Sequence, residues 1–311
     1  MPPSTTRRRS GKGVEAASAA SSSAPGEIKV RLVKLPPLKA VDSRLLFFFG
    51  LLSYGGVCFA VLSPSVELVN TPSAFGWWCT LCFVLFLCSL TAIGQYSAGK
   101  GSWKSLLVVA CYAHRSFFMH CTVERHCFFD FSLCSPLWGR TVACTGELTF
   151  VSQAASALFP RKPKVQSAIF WSIALAQTLS FIGVCKKNYV WFFFENGIWT
   201  VVATTMAIRL LGSKRPKALD AVPYLLACFV CYNVFEDLPM YLARHAETSS
   251  LPGYDLPLIE GAVDAVSCDL VTSTSNATWQ PQMLWMWLNY TLNPIASIYL
   301  ARYIALSSSA D

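Results

Sequence analysis

Charge is what this sequence has least of. Asp, Glu, Lys and Arg make up 14% of 311 residues, where a soluble domain carries about 25%. Hydrophobic residues make up 54% and mean hydropathy is +0.44. That balance excludes disordered, collagen-like and coiled-coil chains and argues against a soluble enzyme. Histidine is scarce too: His114, His120, His126 and His245 are all there are. Four imidazoles exclude the His-rich di-iron membrane hydroxylases and desaturases and speak against a bis-haem carrier. Glu-x-x-His and Gly-x-Ser-x-Gly do not occur, so the hydrolase chemistry of the second motif has no support.

Thirteen cysteines are present, but most lie inside apolar runs, where Cys acts as a small hydrophobe. They do not form the spaced framework of a secreted disulfide-rich domain. Cys79/Cys82 and Cys228/Cys231 are C-x-x-C pairs embedded in apolar residues, which favours packing over redox chemistry. His120-Cys121 and His126-Cys127, with Cys134, match no familiar zinc spacing. Gly94-x4-Gly99-Lys100-Gly101-Ser102 resembles a phosphate loop but has Gly after the Lys and no preceding strand. No cofactor or metal is expected.

Basic residues gather at the start. Nine of the 25 Lys and Arg precede Leu45, from Arg7 to Arg44. Residues 1–40 are rich in Ser, Ala and Arg and contain no apolar run, so they read as a disordered basic tail rather than a signal peptide. Beside hydrophobic spans such a tail marks the cytoplasmic flank rather than a nucleic-acid arm. The same acid-poor composition suits an organellar transit peptide.

Residues 41–307 read as an all-α polytopic transmembrane helix bundle. A crossing helix needs about 20 residues. Leu45–Leu62, Phe75–Ile93, Val165–Cys185, Tyr189–Leu211, Val222–Leu242 and Leu284–Leu306 meet that length. Thr141–Leu158 is weaker. Ser105–Cys121 is doubtful because His114 and Arg115 interrupt it. Counting it gives about eight spans; omitting it gives seven. If it crosses, Lys100, Lys104, Arg161, Lys162, Lys164, Lys214, Arg215 and Lys217 all share the side of the basic tail, as the positive-inside rule requires. That places both termini in the cytoplasm and puts the 243–283 loop, with the sequon at Asn276, outside. The membrane is the plasma membrane, an endomembrane or an organellar membrane. Lys186-Lys187-Asn188 forces a tight helical hairpin.

Polar residues inside spans are costly and face the bundle interior. Those that stand out are Arg115, Glu147, Gln153, Glu195, Asn196, Asn233, Glu236, Asp237, Asn289 and Asn293. At 1.5 Å per residue, Arg115, Glu147, Glu195, Asn289 and Glu236 all lie about 8–9 Å below the external ends of their spans. Asn233, Glu236 and Asp237 share one helical face, as do Asn289, Asn293 and Ser297. Arg140 and Glu147, seven apart, stack on another. Thr141, Thr145, Thr149, Ser152 and Ser156 form a second polar stripe on that helix, so protein is expected on both sides of it.

These residues suggest an acidic cavity in the external half, lined by Glu147, Glu195, Asn196, Asn233, Glu236, Asp237, Asn289 and Asn293, with Arg115 as counter-charge. A cation, a proton or a small polar solute is the expected ligand and the lipid bilayer the expected surroundings; nucleic acid is not expected. The leading reading is a transporter or channel-like protein. A membrane enzyme acting on a lipid or isoprenoid with the same acids as general acid and base, and a non-catalytic scaffold, remain alternatives.

Overall fold

The computed structural model describes residues 74–120, 123, 125–127, 134–212, 219–267, 271–272 and 276–308. The expected span Leu45–Leu62 and the basic tail lie outside them. Eight helices are described. They are α1 (Ala74–Ser97), α2 (Trp103–Phe117), α3 (Pro136–Leu158), α4 (Pro163–Lys186), α5 (Tyr189–Leu211), α6 (Val222–Thr248), α7 (Leu258–Ser267) and α8 (Asn276–Ser308). Two-residue strands β1 (His126–Cys127) and β2 (Val271–Thr272) pair in parallel. Among the described residues the protein is all-α apart from that pair and one isolated bridge, and α1, α4 and α6 are long and apolar enough to cross a membrane.

Local chemistry sets the boundaries. Pro136 and Pro163 open α3 and α4 at the first turn, where a missing N–H costs nothing. The expected hairpin at 186–188 forms. Lys187 takes the left-handed conformation at φ 54° to end α4, and the Asn188 side chain accepts the Val190 N–H to start α5.

Contacts between helices give their directions. Cys111 abuts Gly146 and Arg115 abuts Gly139, so α2 runs antiparallel to α3. Arg140 meets Gln177, Gly183 meets Phe192, and Trp199 meets Phe229, so α3 to α6 alternate. α8 packs on α1, α2 and α3, burying Trp279, Met286 and Tyr290 against Leu81, Leu85, Val108 and Tyr112.

Two expectations are corrected. The doubtful span Ser105–Cys121 is a helix of 15 residues ending at Phe117. It is about 22 Å long, short of a hydrocarbon core of about 30 Å. His120 leaves it to bridge Cys127 in antiparallel fashion. The 243–283 loop is mostly built structure: α6 continues to Thr248, and α7, β2 and the start of α8 fill much of the rest.

These segments cap one end of the bundle. Arg125 bonds Asp264 of α7 at 2.7 Å and the Val184 carbonyl of α4 at 3.1 Å. Ser135 Oγ donates to the Ala265 carbonyl. Gly261 lies so close to the Cys185 carbonyl that a Cβ would overlap it. Gly261→Ala should therefore undock α7, seen as faster amide exchange across 258–267 and a lower Tm; an unchanged Tm would contradict this packing.

A second tie is pH-dependent. Asp255 accepts from Asn188 at 2.9 Å and pairs with Lys186 at 3.1 Å. The Asn188 hydrogen bond, then Lys186, holds its carboxyl below the usual carboxylate value. A depressed acid contributes stability above its unfolded pKa of about 3.9 and loses it as pH falls through the folded value. Protection of the Leu256 N–H, which bonds the Lys186 carbonyl, should be full at neutral pH and lost below about pH 4. Asp255→Asn should remove that pH dependence.

Candidate functional site

Arg140 stands on α3, two turns from Glu147, which projects the same way. Its Nη2 donates to Glu147 at 2.9 Å and lies 3.5 Å from Glu195 of α5. It also donates to the Gln177 side-chain oxygen of α4. One guanidinium thus gathers three helices, and Arg140 and Glu195 are only 6% and 5% exposed. Charge-assisted bonds of this kind are the strong ones. Arg140, rather than the expected Arg115, is the counter-charge of the acids.

On α6, helical turns Val222–Tyr232 and Leu238–Thr248 flank a π turn at Asn233–Asp237, where the Leu238 N–H reaches back to the Asn233 carbonyl. Pro239 supplies the cause. It has no N–H to give the Phe235 carbonyl, and its ring crowds that carbonyl, so the turn widens. A π turn has nearly one residue more than the 3.6 of an α turn. Residues four apart then align better than residues three apart. Asn233 and Asp237 both turn inward and are buried, while Glu236 lies exposed on the outer face. The expected shared face of Asn233, Glu236 and Asp237 is therefore split.

Several buried polar atoms of this region lack hydrogen bonds: Arg140 Nε, Gln177 Nε2, Asn233 Oδ1 and Asp237 Oδ1. The Ser180 hydroxyl faces Glu195. Gln177 and Ser180 are one turn apart on α4. Asp237 accepts from Tyr232 and interacts electrostatically with Glu195 and Arg244. Tyr241, stacked on Phe192 at 5.8 Å, is within electrostatic reach of Asp237, Glu195 and Arg140.

Arg115 builds a separate buried cluster. Its Nε and Nη2 donate to Tyr290 Oη at 3.1 and 2.8 Å, and its Nη1 lies 2.7 Å from His120 Nε2. His120 Nδ1 lies 3.1 Å from the Phe118 carbonyl. The geometry assigns the proton to Nδ1 and leaves Nε2 to accept from Arg115. Gly139 permits this: a Cβ there would strike the His120 ring and the guanidinium. Asn293 donates to Tyr112 Oη at 2.7 Å, and the Tyr112 and Tyr290 rings are 5.7 Å apart.

The remaining candidates bond their own helices or tie α3 to α8. Asn196 donates to the Phe192 carbonyl and Asn289 to that of Trp285. Gln153 and Ser297 exchange two hydrogen bonds between α3 and α8. Thr141 and Thr145 face outward, each hydroxyl bonding the carbonyl four residues back. Further along the stripe, Ser152 Oγ accepts from Lys104 Nζ of α2 at 3.0 Å, so only the end at Thr141 and Thr145 goes without protein cover. The sequence pattern does not single out Gln177, Ser180, Tyr232 or Tyr290; the one usable signal is a Gln at 177, deep within the apolar run of α4. Among the described residues no three His, Cys, Asp or Glu converge as metal ligands. A cleft of about 250 Å³, lined by Ser152, Ser156, Gln166 and Ser167, lies near the α3–α4 turn, away from the acids.

No family model, curated protein or solved structure matches this chain.

The ion pairs make a direct prediction. Removing Arg140 leaves two buried carboxylates facing each other, which costs about 3–5 kcal/mol. Arg140→Met should lower the Tm sharply. Adding Glu147→Leu and Glu195→Met should recover most of it, because an apolar triad of similar volume needs no counter-charge. No recovery in the triple variant would show that the arginine acts otherwise.

Proposed function

We propose that this is an integral membrane protein of the transporter or channel-like kind, taking up a proton or small cation at the buried acids of α3, α5 and α6. The carrying observation is a charge imbalance. Glu147, Glu195 and Asp237 are mostly or wholly buried, Arg140 directly faces two of them, and Arg244 interacts electrostatically with the third. Three acids against two bases leave one carboxylate to be neutralised by a proton or cation, since a bare charge at that depth is costly.

The orphaned oxygens support the same reading. Asn233 Oδ1 and Asp237 Oδ1 are hard oxygens of the type that alkali cations and hydronium take as partners. Both stand on a helix whose regular turns are interrupted ahead of Pro239, as in transporters whose ion sites use broken helices. In this reading both termini are cytoplasmic, and the α7 cap with Asn276 is external. At about 22 Å, α2 crosses in this reading only where the bilayer thins around it, its reversed direction keeping the basic turns on one side.

A scaffold is the second reading, favoured by Arg140 tying three helices without solvent. Flux separates the two. In proteoliposomes carrying a pH-sensitive dye, wild type should pass protons or Na+ down an imposed gradient. Glu195→Gln and Asp237→Asn should lower that flux at least tenfold while remaining folded. Wild type indistinguishable from empty liposomes with every monovalent cation would favour the scaffold.

A further inference from the structure

The turns at the end of the bundle opposite the α7 cap carry cations and no acid. From Gly94 to Ser105, across the α1–α2 turn, and from Ser156 to Phe170, across the α3–α4 turn, there is no Asp or Glu. Lys100, Lys104, Arg161, Lys162 and Lys164 all fall there. Because α2 and α3 are antiparallel, the two turns lie at the same end. None of these five cations pairs with an acid among the described residues. Lys104 is half-buried, and its ammonium donates at 3.0 Å to Ser152 Oγ. A hydroxyl is a neutral partner and leaves that charge uncancelled.

Ser152 also forms one wall of the cleft between α3 and α4, with Ser156, Pro163, Ser167 and Phe170 around it. The cleft holds about 250 Å³. That is below the roughly 300–1,000 Å³ of pockets for whole drug-sized molecules and suits a headgroup. Its depth matches as well. α4 has 24 residues and is about 36 Å long, so it just exceeds a hydrocarbon core of about 30 Å. Pro163, Ser167 and Phe170 occupy roughly its first 10 Å. The cleft therefore straddles the boundary between headgroups and acyl chains, with Phe170 at its deeper end.

We propose that this cleft binds the headgroup of an anionic phospholipid, its phosphate held by Lys104 with the Ser152 and Ser167 hydroxyls. Arg161, Lys162 and Lys164 add to the attraction from the adjoining turn. The start of α4 has no side-chain cap, so its partial positive charge acts in the same direction. In the membrane reading above this end faces the cytoplasm, where the leaflet is anionic and basic pockets between helices take acidic headgroups. The basic tail and Lys214, Arg215 and Lys217 carry the same sign as the cleft, so they are not its occupants. The proposal rests on α4 crossing the membrane; it does not depend on ion handling.

The test uses the full chain in non-ionic detergent with short-chain lipids. Calorimetric titration with dioctanoyl phosphatidate should show one saturable site per chain. Dioctanoyl phosphatidylcholine should bind at least tenfold more weakly, because its choline cation meets the lysines. Inorganic phosphate at equal concentration should not displace the lipid, because it has no stem to lie against Phe170. Lys104→Met should weaken phosphatidate binding at least tenfold. Ser167→Trp should abolish it by filling the cleft, and since Ser167 is exposed the Tm should stay at the wild-type value. Equal affinity for the two lipids would overturn the proposal. So would inorganic phosphate competing as well as the lipid does, or wild-type binding by either variant.

Discussion

The Arg140 guanidinium is the contact on which the rest of the bundle's interior depends. α3, α4 and α5 are largely apolar helices, and in lipid such helices have little reason to prefer one another over acyl chains. Arg140 changes that by donating to Glu147 and Gln177 and pairing with Glu195, one partner on each helix. Once it is buried, Glu147 and Glu195 must follow it, since an unpaired charge in that medium is expensive. The burial of Gln177 and the place of α5 beside α4 follow from the same demand. The cap enforces this at one end, where Arg125 pins α7 to the last turn of α4.

α6 is governed by a second constraint, the missing N–H of Pro239. An unbroken α-helix would put Asn233, Glu236 and Asp237 on one side. The widened turn sends Asp237 towards Glu195 and Glu236 outward. One backbone defect thus divides two adjacent acids between an interior polar centre and the exposed outer face of the helix. Such π turns recur at functional positions because the local irregularity re-aims side chains.

Much of this was legible in the residues. Apolar runs located the long helices, and the seven-residue step from Arg140 to Glu147 placed both on one face. The three-residue turn at 186–188 fixed the α4–α5 hairpin. What could not be read depended on tertiary context. Whether Arg115 or Arg140 answers the acids is decided by which helices adjoin, not by depth. Arg115 instead meets Tyr290, 175 positions away. Gln177 and Ser180 carry no pattern that marks them. The α7 cap is held by a glycine contact and a two-residue strand pair, both too small for periodicity to detect. The outward Thr stripe misled because each hydroxyl can satisfy itself on its own backbone.

The central claim is that buried acids outnumber the bases that face them, so one of them carries an exchangeable proton or cation. Infrared difference spectroscopy of the membrane-reconstituted protein, between alkaline and acidic buffer, reads protonated carboxyls directly. The account predicts a carboxylic-acid carbonyl band from a site shielded from solvent, weakened by Na+ and abolished in Glu195→Gln or Asp237→Asn. A difference spectrum with no such band, or one unchanged by both substitutions, would contradict it.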